Sequence, residues 1–556
     1  MSNDRTNARS ASRPNIVVIL ADDLGYSDIG CYGGEIATPS IDSLAATGVR
    51  FTSFYNCARC CPTRASLLTG CYPHEVGVGH MTAQNEDVKA RYARLDLPAY
   101  RGMIGPECVT LAEVLRAAGY QTLMSGKWHV GQFRPQWPVD RGFDRYYGLI
   151  SGGCNYFRPD PHRLFVDQDM RVTEFPDDFY ITDAVSDRAV RFIDEARSDR
   201  PFFLYLAYTA PHWPLHAWAE DIEKYRGSYR CGWDEVRDRR SRRQRELGLF
   251  GSDVKLSARD PESSAWESTD EHDLWDLRMS IYAAQVDRMD QGIGEVLQAL
   301  RRNGFYDDTV VMFLSDNGAC AETIGPEETN PLGERTSFAS YMLPWANAGN
   351  TPFRLFKHWT HEGGIATPFV VSWPALFRGG GSRIDRTRIG HVKDIMATCT
   401  ALAGAEYPEE VDGRRIIPHS SASLVPEIRR AAGVMMADAG SGQTAASEQA
   451  ETSSPQLLRI EHEGNRAVRL DDWKLVSYYT EARGWVKGEV GRGRRTGRWE
   501  LYDLASDRTE EHDLALDEPE RLREMIEIYE EWAARYAVVD WEAIQRSWGN
   551  TDDGDP

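Results

Sequence analysis

The segment from Cys60 to Gly70, Cys-Cys-Pro-Thr-Arg-Ala-Ser-Leu-Leu-Thr-Gly, places a thiol, a proline and an arginine just before an apolar stretch. Because proline is tolerated in the first turn of a helix, the pattern predicts a helix that begins at or just after Cys60. The free N–H groups and the positive end of the helix dipole favour an anion there. Arg64 lies one turn along and could reach back as a bidentate clamp for an oxyanion. The segment therefore predicts an anion site beside a thiol.

Oxygen-bearing side chains follow two of the apolar runs in the chain. Asp22 and Asp23 follow the first run, and Asp316 and Asn317 follow a later one. Carboxylate and amide oxygens without imidazole or thiolate suit a hard cation, Ca²⁺ or Mg²⁺, rather than Zn²⁺. Taken alone, each pair is also what a solvated turn or a helix cap would contain. The metal interpretation depends on the two pairs meeting in the fold.

Three short motifs contribute lysine and histidine. Lys127 and His129 lie in Gly-Lys-Trp-His-Val-Gly, His212 lies in Ala-Pro-His-Trp-Pro, and Lys357 ends Pro-Phe-Arg-Leu-Phe-Lys. Each residue alone is more often a solvated or hydrogen-bonded side chain than a catalytic one. Four neighbouring residues receive no role at this stage: His216, Arg354, His358 and His361.

Short apolar runs that end abruptly in polar clusters are typical of buried strands in a parallel sheet. Four such runs occur at 16–20, 120–124, 202–206 and 309–314. Helical patterns lie between them, at 109–118 and 279–300, so an α/β layered architecture is predicted. In such sheets ligands collect at the carboxyl ends of the strands. Because these four runs lead into the acids, lysine and histidines above, we expect those side chains to converge.

Composition limits the class of partner. The chain has 556 residues and a formal net charge of −21, which argues against nucleic acid or an anionic membrane as a partner. An anionic substrate would then need positive charge gathered at one place. The N-terminus is polar and its first apolar run is only five residues, too short for a signal peptide or a membrane span. A cytoplasmic protein is therefore expected, with a truncated precursor as the alternative.

The Cys60 segment closely resembles the signature of the formylglycine-dependent sulfatases, which are arylsulfatase-like members of the alkaline phosphatase superfamily. The resemblance implies that a formylglycine-generating enzyme oxidises Cys60 to formylglycine, whose hydrated aldehyde is the nucleophile. It also implies that one divalent cation, most often Ca²⁺ and less often Mg²⁺, is bound. The ligands it implies are Asp22, Asp23, Asp316, Asn317 and the converted Cys60.

The other motifs match the same family in order along the chain. The resemblance implies that Lys127, Lys357 and Arg64 hold the sulfate oxygens. It further implies that His212 meets the leaving oxygen of the ester and that His129 acts as the base in turnover. The expected activity is that of a sulfuric ester hydrolase. Through a sulfo-enzyme intermediate, it would cleave a small-molecule or carbohydrate sulfate monoester to an alcohol or phenol plus inorganic sulfate.

The expected domains follow from composition and resemblance together. Residues 14–425 form the catalytic α/β domain, an alkaline-phosphatase-like, mainly parallel mixed sheet between helices. A charge-rich surface excursion or lid is expected at about 217–275. Residues 426–456 form a flexible linker or loop, because 437–455 is rich in Ala, Ser, Gly and Thr. Residues 457–545 form a smaller α+β subdomain with an antiparallel sheet and a helix.

Position 61 departs from the family pattern, because cysteine stands where serine is frequent. Only Cys60 has Pro62 and Arg64 in register, so Cys61 is expected to remain unmodified. Two alternatives stay open: a phosphonate monoester or phosphodiester hydrolase that uses the same formylglycine, and a sulfated-glycan-binding module without turnover. The second is disfavoured because binding alone needs no convertible cysteine.

Overall fold

A computed structural model describes residues 13–323, 327, 331–379, 381–434, 456–479 and 497–547. The composition-based linker prediction at 437–455 lies outside the described residues. The strands, numbered β1 to β18 in chain order, are Asn15–Ala21, Gly48–Phe51, Phe54–Tyr55, Gln121–Gly126, Arg145–Leu149, Phe165–Asp167, Met170–Arg171, Phe202–Ala207, Thr309–Ser315, Phe369–Ser372, Arg383–Asp385, Gly390–His391, Glu410–Val411, Arg414–Arg415, Leu457–His462, Asn465–Leu470, Trp473–Ser477 and Trp499–Asp503.

Helices fill most of the connections between strands. The α-helices, numbered α1 to α14 in chain order, are Pro39–Ala46, Cys60–Thr69, Glu86–Leu95, Leu111–Ala117, Ile181–Asp194, Ala219–Glu223, Gly232–Glu246, His272–Arg302, Met342–Gly349, Glu362–Ile365, Asp394–Ala403, Val425–Ala431, Pro519–Arg535 and Trp541–Ser547. Short 3₁₀ turns lie at Gly30–Tyr32, Pro73–Val76, Pro138–Arg141, Trp266–Ser268 and Tyr306–Asp308.

A ten-stranded mixed sheet, in the order β11-β2-β10-β9-β1-β8-β4-β5-β6-β7, is the centre of the fold. The four predicted strands are its neighbouring parallel strands β9, β1, β8 and β4. Antiparallel pairing enters on either side, where β10 pairs with β9 and β6 pairs with β5. The α/β prediction is therefore confirmed, including its mixed but mainly parallel centre.

Strand β1 is buried on both faces. Val17 and Ile19 belong to one apolar core, whereas Ile16, Val18 and Leu20 belong to the core on the other side. Helices cover both faces, which is why the strand is a continuous apolar run rather than an alternating one. The long helix α8 packs with α1, α5 and α6 on one of these faces.

The charge-rich span 217–275 is partly helical, as expected, but much of it is packed into the protein. Helices α6 and α7 lie in it, and Trp233 and Arg240 of α7 are fully buried. Arg240 donates to Asp28 Oδ1 at 2.6 Å and pairs with Glu35 at 2.8 Å. The basic residues of α7 therefore include a buried structural cation and do not all face solvent.

The C-terminal region forms a four-stranded antiparallel sheet, β15-β16-β17-β18, with helix α13 against it. It contacts the large sheet's loops through a buried charge cluster. Lys474 Nζ lies 2.9 Å from Glu362 Oε1 and 2.7 Å from Glu510 Oε1. Glu362 begins α10, which directly follows the Lys357 segment, so the C-terminal sheet helps to fix that segment. No helix in the described ranges is long and apolar enough to cross a bilayer.

Candidate active site

The polar residues that follow the central strands meet at one edge of the sheet. Asp22 and Asp23 follow β1, Asp316 follows β9 and Lys127 follows β4, while His212 lies in the loop after β8. Because β9, β1, β8 and β4 are adjacent and parallel, their carboxyl ends converge. The expected convergence is therefore what the structure shows.

Helix α2 begins at Cys60, as the sequence predicts, and aims this thiol into the cluster. Cys60 Sγ lies 3.4 Å from His129 Nδ1, and both side chains are buried. A hydrogen bond from Cys61 is the largest influence on the Cys60 thiol and lowers its pKa well below the usual range. Burial opposes this shift, while Lys127 and His129 add to it. Burial raises the pKa of Cys61 instead, so the two adjacent thiols are shifted in opposite directions.

Each cation of the cluster is paired with a carboxylate. Lys127 Nζ donates to Asp22 Oδ2 at 2.6 Å, and Lys357 Nζ donates to Asp23 Oδ2 at 2.9 Å. His212 Nε2 lies 3.6 Å from the same oxygen of Asp23. Buried charges of this kind persist only when they are paired or hold an ion. These contacts join the β1, β4 and β8 ends to the Lys357 segment.

Arg64 does not stand open as an oxyanion clamp. Its Nε and Nη2 donate to Asp316 Oδ2 at 3.0 and 2.7 Å, and its Nη1 donates to the Lys127 carbonyl at 3.0 Å. Arg64 is fully buried, so its charge acts on the site while its hydrogen bonds position Asp316 and the Lys127 backbone. It is therefore a positioning residue in this geometry.

Left-handed backbone conformations occur at two site residues. Asp23 has φ +68° and His129 has φ +56°. Such conformations are uncommon for residues other than glycine and cluster at functional sites. At Asp23 the turn lets its N–H donate to Asp316 Oδ1 at 3.2 Å, and Asn317 Nδ2 donates to Asp23 Oδ1 at 2.7 Å. The strain is compensated by bonds between the two acidic loops.

All ten predicted site residues thus belong to one connected, buried cluster at the strand ends. A family model described as Sulfatase matches residues 14–405 of the chain. The chain belongs to the sulfatase family. This is a family of sulfuric ester hydrolases, and its members generally use a metal ion and a formylglycine.

Relatives extend the match over almost the whole chain. An uncharacterized sulfatase of Schizosaccharomyces pombe is 33% identical over 561 residues, covering 95% of each chain. An arylsulfatase of Klebsiella aerogenes is 32% identical over 75% of this chain and 92% of its own. The crystal structure of Ps i-CgsB in complex with k-i-k-neocarrahexaose superposes with a TM-score of 0.66 at 24% identity, covering 97% and 98% of the two chains. The fold is therefore the alkaline-phosphatase-like fold of sulfatases.

The acidic loops fit the metal ion that sulfatases generally use. Asp22 Oδ1 and Asn317 Oδ1 are buried and have no hydrogen-bond partner among the described residues. Burial, and then the charge of Asp22, raise the pKa of Asp316 well above its usual range. Burial also opposes ionisation of Asp22, but Lys127, His212 and Arg64 outweigh it and lower the pKa of Asp22 to about 2. A cation between these oxygens would satisfy the orphaned atoms and relieve the repulsion.

A buried ion pair beside this cluster was not predicted from the sequence motifs. Arg59 Nη1 donates to Glu322 Oε1 at 2.7 Å, and the same oxygen lies 3.6 Å from Lys357 Nζ. Trp213 Nε1 donates to Glu322 Oε2 at 2.7 Å. Glu322 thereby holds the residue before Cys60, the residue after His212 and the lysine near Asp23. No sequence motif around Glu322 predicts these contacts, although Arg59 directly precedes the Cys60 segment.

Glu322→Gln is expected to destabilise the protein by about 3 kcal/mol, because it leaves the buried Arg59 charge without its carboxylate partner. Urea unfolding at pH 7 measures the change. The matched control is Glu223→Gln, which breaks the exposed ion pair with Arg226 and is expected to cost less than about 1 kcal/mol. Equal losses in the two variants would contradict a structural role for Glu322.

Three of the unassigned residues near the motifs lie outside the cluster and make structural contacts. His361 Nε2 lies 3.1 Å from Glu500, and Arg354 donates to the Glu510 carbonyl at 2.7 Å. His216 Nε2 lies 2.8 Å from the Ser337 carbonyl, which requires a proton on that nitrogen, and its Nδ1 accepts from the Tyr156 N–H at 3.3 Å. Both ring nitrogens of His216 are therefore satisfied only in the neutral form.

Stability is expected to fall by about 2 kcal/mol between pH 7 and pH 5 through His216 alone. Burial lowers the pKa of His216 to about 4 from an ordinary value of 6.5, so the unfolded chain binds this proton first. The contribution is fully present above pH 6.5 and is lost as the pH falls towards 4. Urea unfolding of the protein and of His216→Gln at both pH values measures it. His512→Gln, an exposed control, should not alter the pH dependence, and an unchanged dependence in His216→Gln would refute the assignment.

Proposed function

We propose that this sulfatase hydrolyses a sulfate monoester to an alcohol or phenol and inorganic sulfate, using a formylglycine formed from Cys60. The observation that carries the proposal is the position of Cys60. Its thiol of lowered pKa lies at the start of α2, against His129 and within the lysine–carboxylate cluster of the strand ends. A formylglycine-generating enzyme would supply the modification during maturation.

His129 has the properties of the base. Its Nδ1 faces position 60 at 3.4 Å, and its Nε2 is buried without a partner among the described residues. Burial lowers the pKa of His129 to about 4, against the opposing charge of Cys60. The imidazole is therefore neutral near pH 7 and able to accept a proton. In turnover it takes the proton whose loss releases inorganic sulfate from residue 60.

His212 has the geometry of the acid. Its Nδ1 lies 2.5 Å from the Trp213 carbonyl, which fixes a proton on Nδ1 and leaves Nε2 facing the Asp23 side of the site. A proton on Nε2 could then pass to the ester oxygen as the S–O bond breaks. The Asp23 carboxylate lies 3.6 Å from this Nε2.

The lysines hold the sulfate group in this proposal. Lys127 and Lys357 are both buried, and each is paired with a different carboxylate, Asp22 and Asp23 respectively. Their charges would balance the negative charge of the non-bridging sulfate oxygens, to which the N–H groups at the start of α2 could also donate. Arg64 contributes its charge without contacting the substrate, and its ion pair orients Asp316.

Ca²⁺ is the proposed cation, held by Asp22, Asp23, Asp316, Asn317 and residue 60. Four oxygen ligands from two loops suit the flexible, high-coordination geometry of Ca²⁺ better than the small octahedral shell of Mg²⁺. When bound, the cation would supply Lewis-acid stabilisation of negative charge on oxygen. Two relatives support the proposed substrate class: one is named an arylsulfatase, and a structural neighbour is described in complex with its substrate, D-glucosamine-2-N,6-O-disulfate.

Mass spectrometry of the intact peptide around Cys60 tests the proposal. Conversion of cysteine to formylglycine lowers the peptide mass by about 18 units, as expected from exchange of a thiol for an aldehyde. Active protein from a producing cell should show the converted peptide, and Cys61 should remain a thiol. Active protein with only unmodified Cys60 would overturn the formylglycine mechanism.

Relative rates test the substrate class. Purified, converted protein should hydrolyse an aryl sulfate faster than the matching aryl phosphonate or phosphodiester. A dominant phosphonate or phosphodiester activity would contradict the proposal and favour the alternative that shares this site. Binding of an aryl sulfate without any hydrolysis by converted protein would contradict it in favour of a binding module.

A further inference from the structure

A second buried cluster lies beside the active site and has no role in the proposed reaction. It consists of His80, His358, His462 and Glu463, called here the Glu463 cluster. Their side chains are at most 11% exposed. His358 directly follows Lys357, and its N–H donates to the Ala58 carbonyl at 2.8 Å, two residues before the nucleophile position. His462 ends β15, and Glu463 begins the turn to β16.

The side-chain atoms of this cluster are at the spacing of a metal site. The ligand atoms of His358, His462 and Glu463 all lie within 4.8 Å of one another. His358 Nδ1 is 3.0 Å from Glu463 Oε2, and His462 Nε2 is 3.5 Å from Glu463 Oε1. Zinc bonds of 2.0–2.1 Å in tetrahedral geometry separate neighbouring ligand atoms by about 3.4 Å. His80 Nδ1 lies 3.3 Å from Glu463 Oε1 but accepts the Met81 N–H, so His80 is a neighbour of the site rather than one of its ligands.

Hydrogen bonding does not account for His462. Within the described part of the chain, neither of its ring nitrogens has a hydrogen-bond partner, whereas His358 Nδ1 pairs with Glu463 Oε2 at 3.0 Å. His462 is fully buried, so two orphaned ring nitrogens are costly. An ion that accepts these lone pairs would remove the cost.

Two residues of the Glu463 cluster also have left-handed backbone conformations. Glu463 and Gly464 form the two-residue loop between β15 and β16, with φ +50° and +81°. Such hairpin loops favour Asn-Gly or Asp-Gly and usually face solvent, yet here a glutamate occupies the first position and is only 6% exposed. His358 is also left-handed, at φ +88°. Two of the three ligand atoms are therefore carried by strained residues, as is common at functional sites.

We propose that His358, His462 and Glu463 bind a transition-metal ion of the zinc type, distinct from the cation of the acidic loops. Two imidazoles and one carboxylate suit Zn²⁺, whereas the all-oxygen set of the acidic loops suits Ca²⁺. Three protein ligands leave a coordination position for water or for a donor group of a bound molecule. His358 directly follows Lys357 in the chain, so the two proposed sites share one backbone segment. The site does not depend on the proposed reaction, since none of its three ligands takes part in it.

Cobalt binding tests the site directly. The test protein is full-length Cys60→Ala, saturated with Ca²⁺, because Cys60, Cys61 and His129 also lie within ligand distance of one another. Titration with Co²⁺ alone should give visible d–d bands that saturate at one equivalent and are displaced by Zn²⁺. Further replacement of His462 by Gln, or of Glu463 by Gln, should weaken binding by about 100-fold or more.

The matched control is His74→Gln in the same background. His74 is a buried histidine outside the cluster. It lies 2.8 Å from Glu461, which is on the same strand as His462. This variant should bind Co²⁺ like its parent. Zn²⁺ should raise the melting temperature of the parent and of the control but not that of the His462→Gln variant.

Three results would overturn the proposal. One is the absence of saturable Co²⁺ binding by folded Cys60→Ala protein, which needs no ligand variant. Another is equal binding by the parent and the folded His462→Gln variant. The third is loss of binding in His74→Gln as large as in His462→Gln. Any of these would leave the Glu463 cluster as a network of buried histidines around a carboxylate.

Discussion

Cys60→Ala is expected to lower kcat on an aryl sulfate by at least about 10⁴-fold, the scale seen when a catalytic nucleophile is removed. Alanine cannot become an aldehyde, so no oxygen nucleophile forms at the start of α2. The lysines and acidic loops remain, because they are held by their own ion pairs rather than by Cys60. Binding of inorganic sulfate should therefore persist while turnover is lost. Initial rates at saturating substrate, with sulfate affinity by calorimetry, measure the two effects separately.

Cys61→Ser is the matched control for this result. Cys61 Sγ lies against the His80 carbonyl and Met81 Sδ, away from the acidic loops. Serine keeps a hydrogen-bond donor at this position, and turnover should stay within about tenfold of the unaltered protein. If Cys61→Ser were as damaging as Cys60→Ala, or if Cys60→Ala stayed active, position 60 would not be the nucleophile.

The centre of the fold was predictable from the sequence because its strands are buried on both faces. Continuous apolar runs such as 16–20 and 309–314 are compatible with few structures other than a buried strand, and these two form neighbouring strands. The outer parts of the sheet were not predictable in this way. Strand β10, Phe369–Ser372, is only four residues long, and its antiparallel place between β9 and β2 depends on those partners rather than on a local pattern.

In the span 217–275, the burial of charged residues could not be predicted from the sequence. Its dense basic residues indicate a solvated surface, and composition alone offers no other interpretation. Arg240 is buried nonetheless, because Asp28 and Glu35 come from a loop about two hundred residues earlier in the chain. Charge pairing across such a distance is a tertiary property, which a local window cannot contain.

The site shows the same division. Most motif residues could be found because they follow an apolar run or lie at the start of a helix, whereas Lys357, in the loop before α10, was assigned from the family resemblance alone. Their pairings could not: Arg64 is bound to Asp316, not free to clamp an anion. Glu322 and the Glu463 cluster were also invisible, since His80, His358 and His462 are hundreds of residues apart and meet only in the folded chain.

Removal of the bound cation is expected to lower kcat/KM on an aryl sulfate by at least about 10³-fold, on the scale of losing a principal electrostatic contact in the transition state. The formal charges of the cluster explain why the expected loss of kcat/KM is large. Three carboxylates, of Asp22, Asp23 and Asp316, cancel three side-chain cations, of Arg64, Lys127 and Lys357. With all six groups ionised these charges sum to zero, in a protein of net charge −21. A bound cation would thus supply the net positive charge that a sulfate ester requires.

EGTA in the presence of excess Mg²⁺ provides the measurement, because it removes Ca²⁺ while leaving Mg²⁺ available. Activity should fall with the calcium content measured by mass spectrometry and return when Ca²⁺ is added back. Asp316→Asn should reproduce the loss, since it removes one oxygen charge while Arg64 stays buried. The exposed control Asp199→Asn, in the surface pair with Arg197, should not lower activity.

Full activity in calcium-free protein with Mg²⁺ present would contradict the Ca²⁺ assignment, and full activity after both ions are removed would contradict the metal site itself. Because the two lysines are neutralised by the same carboxylates that would hold the ion, they cannot compensate for its loss.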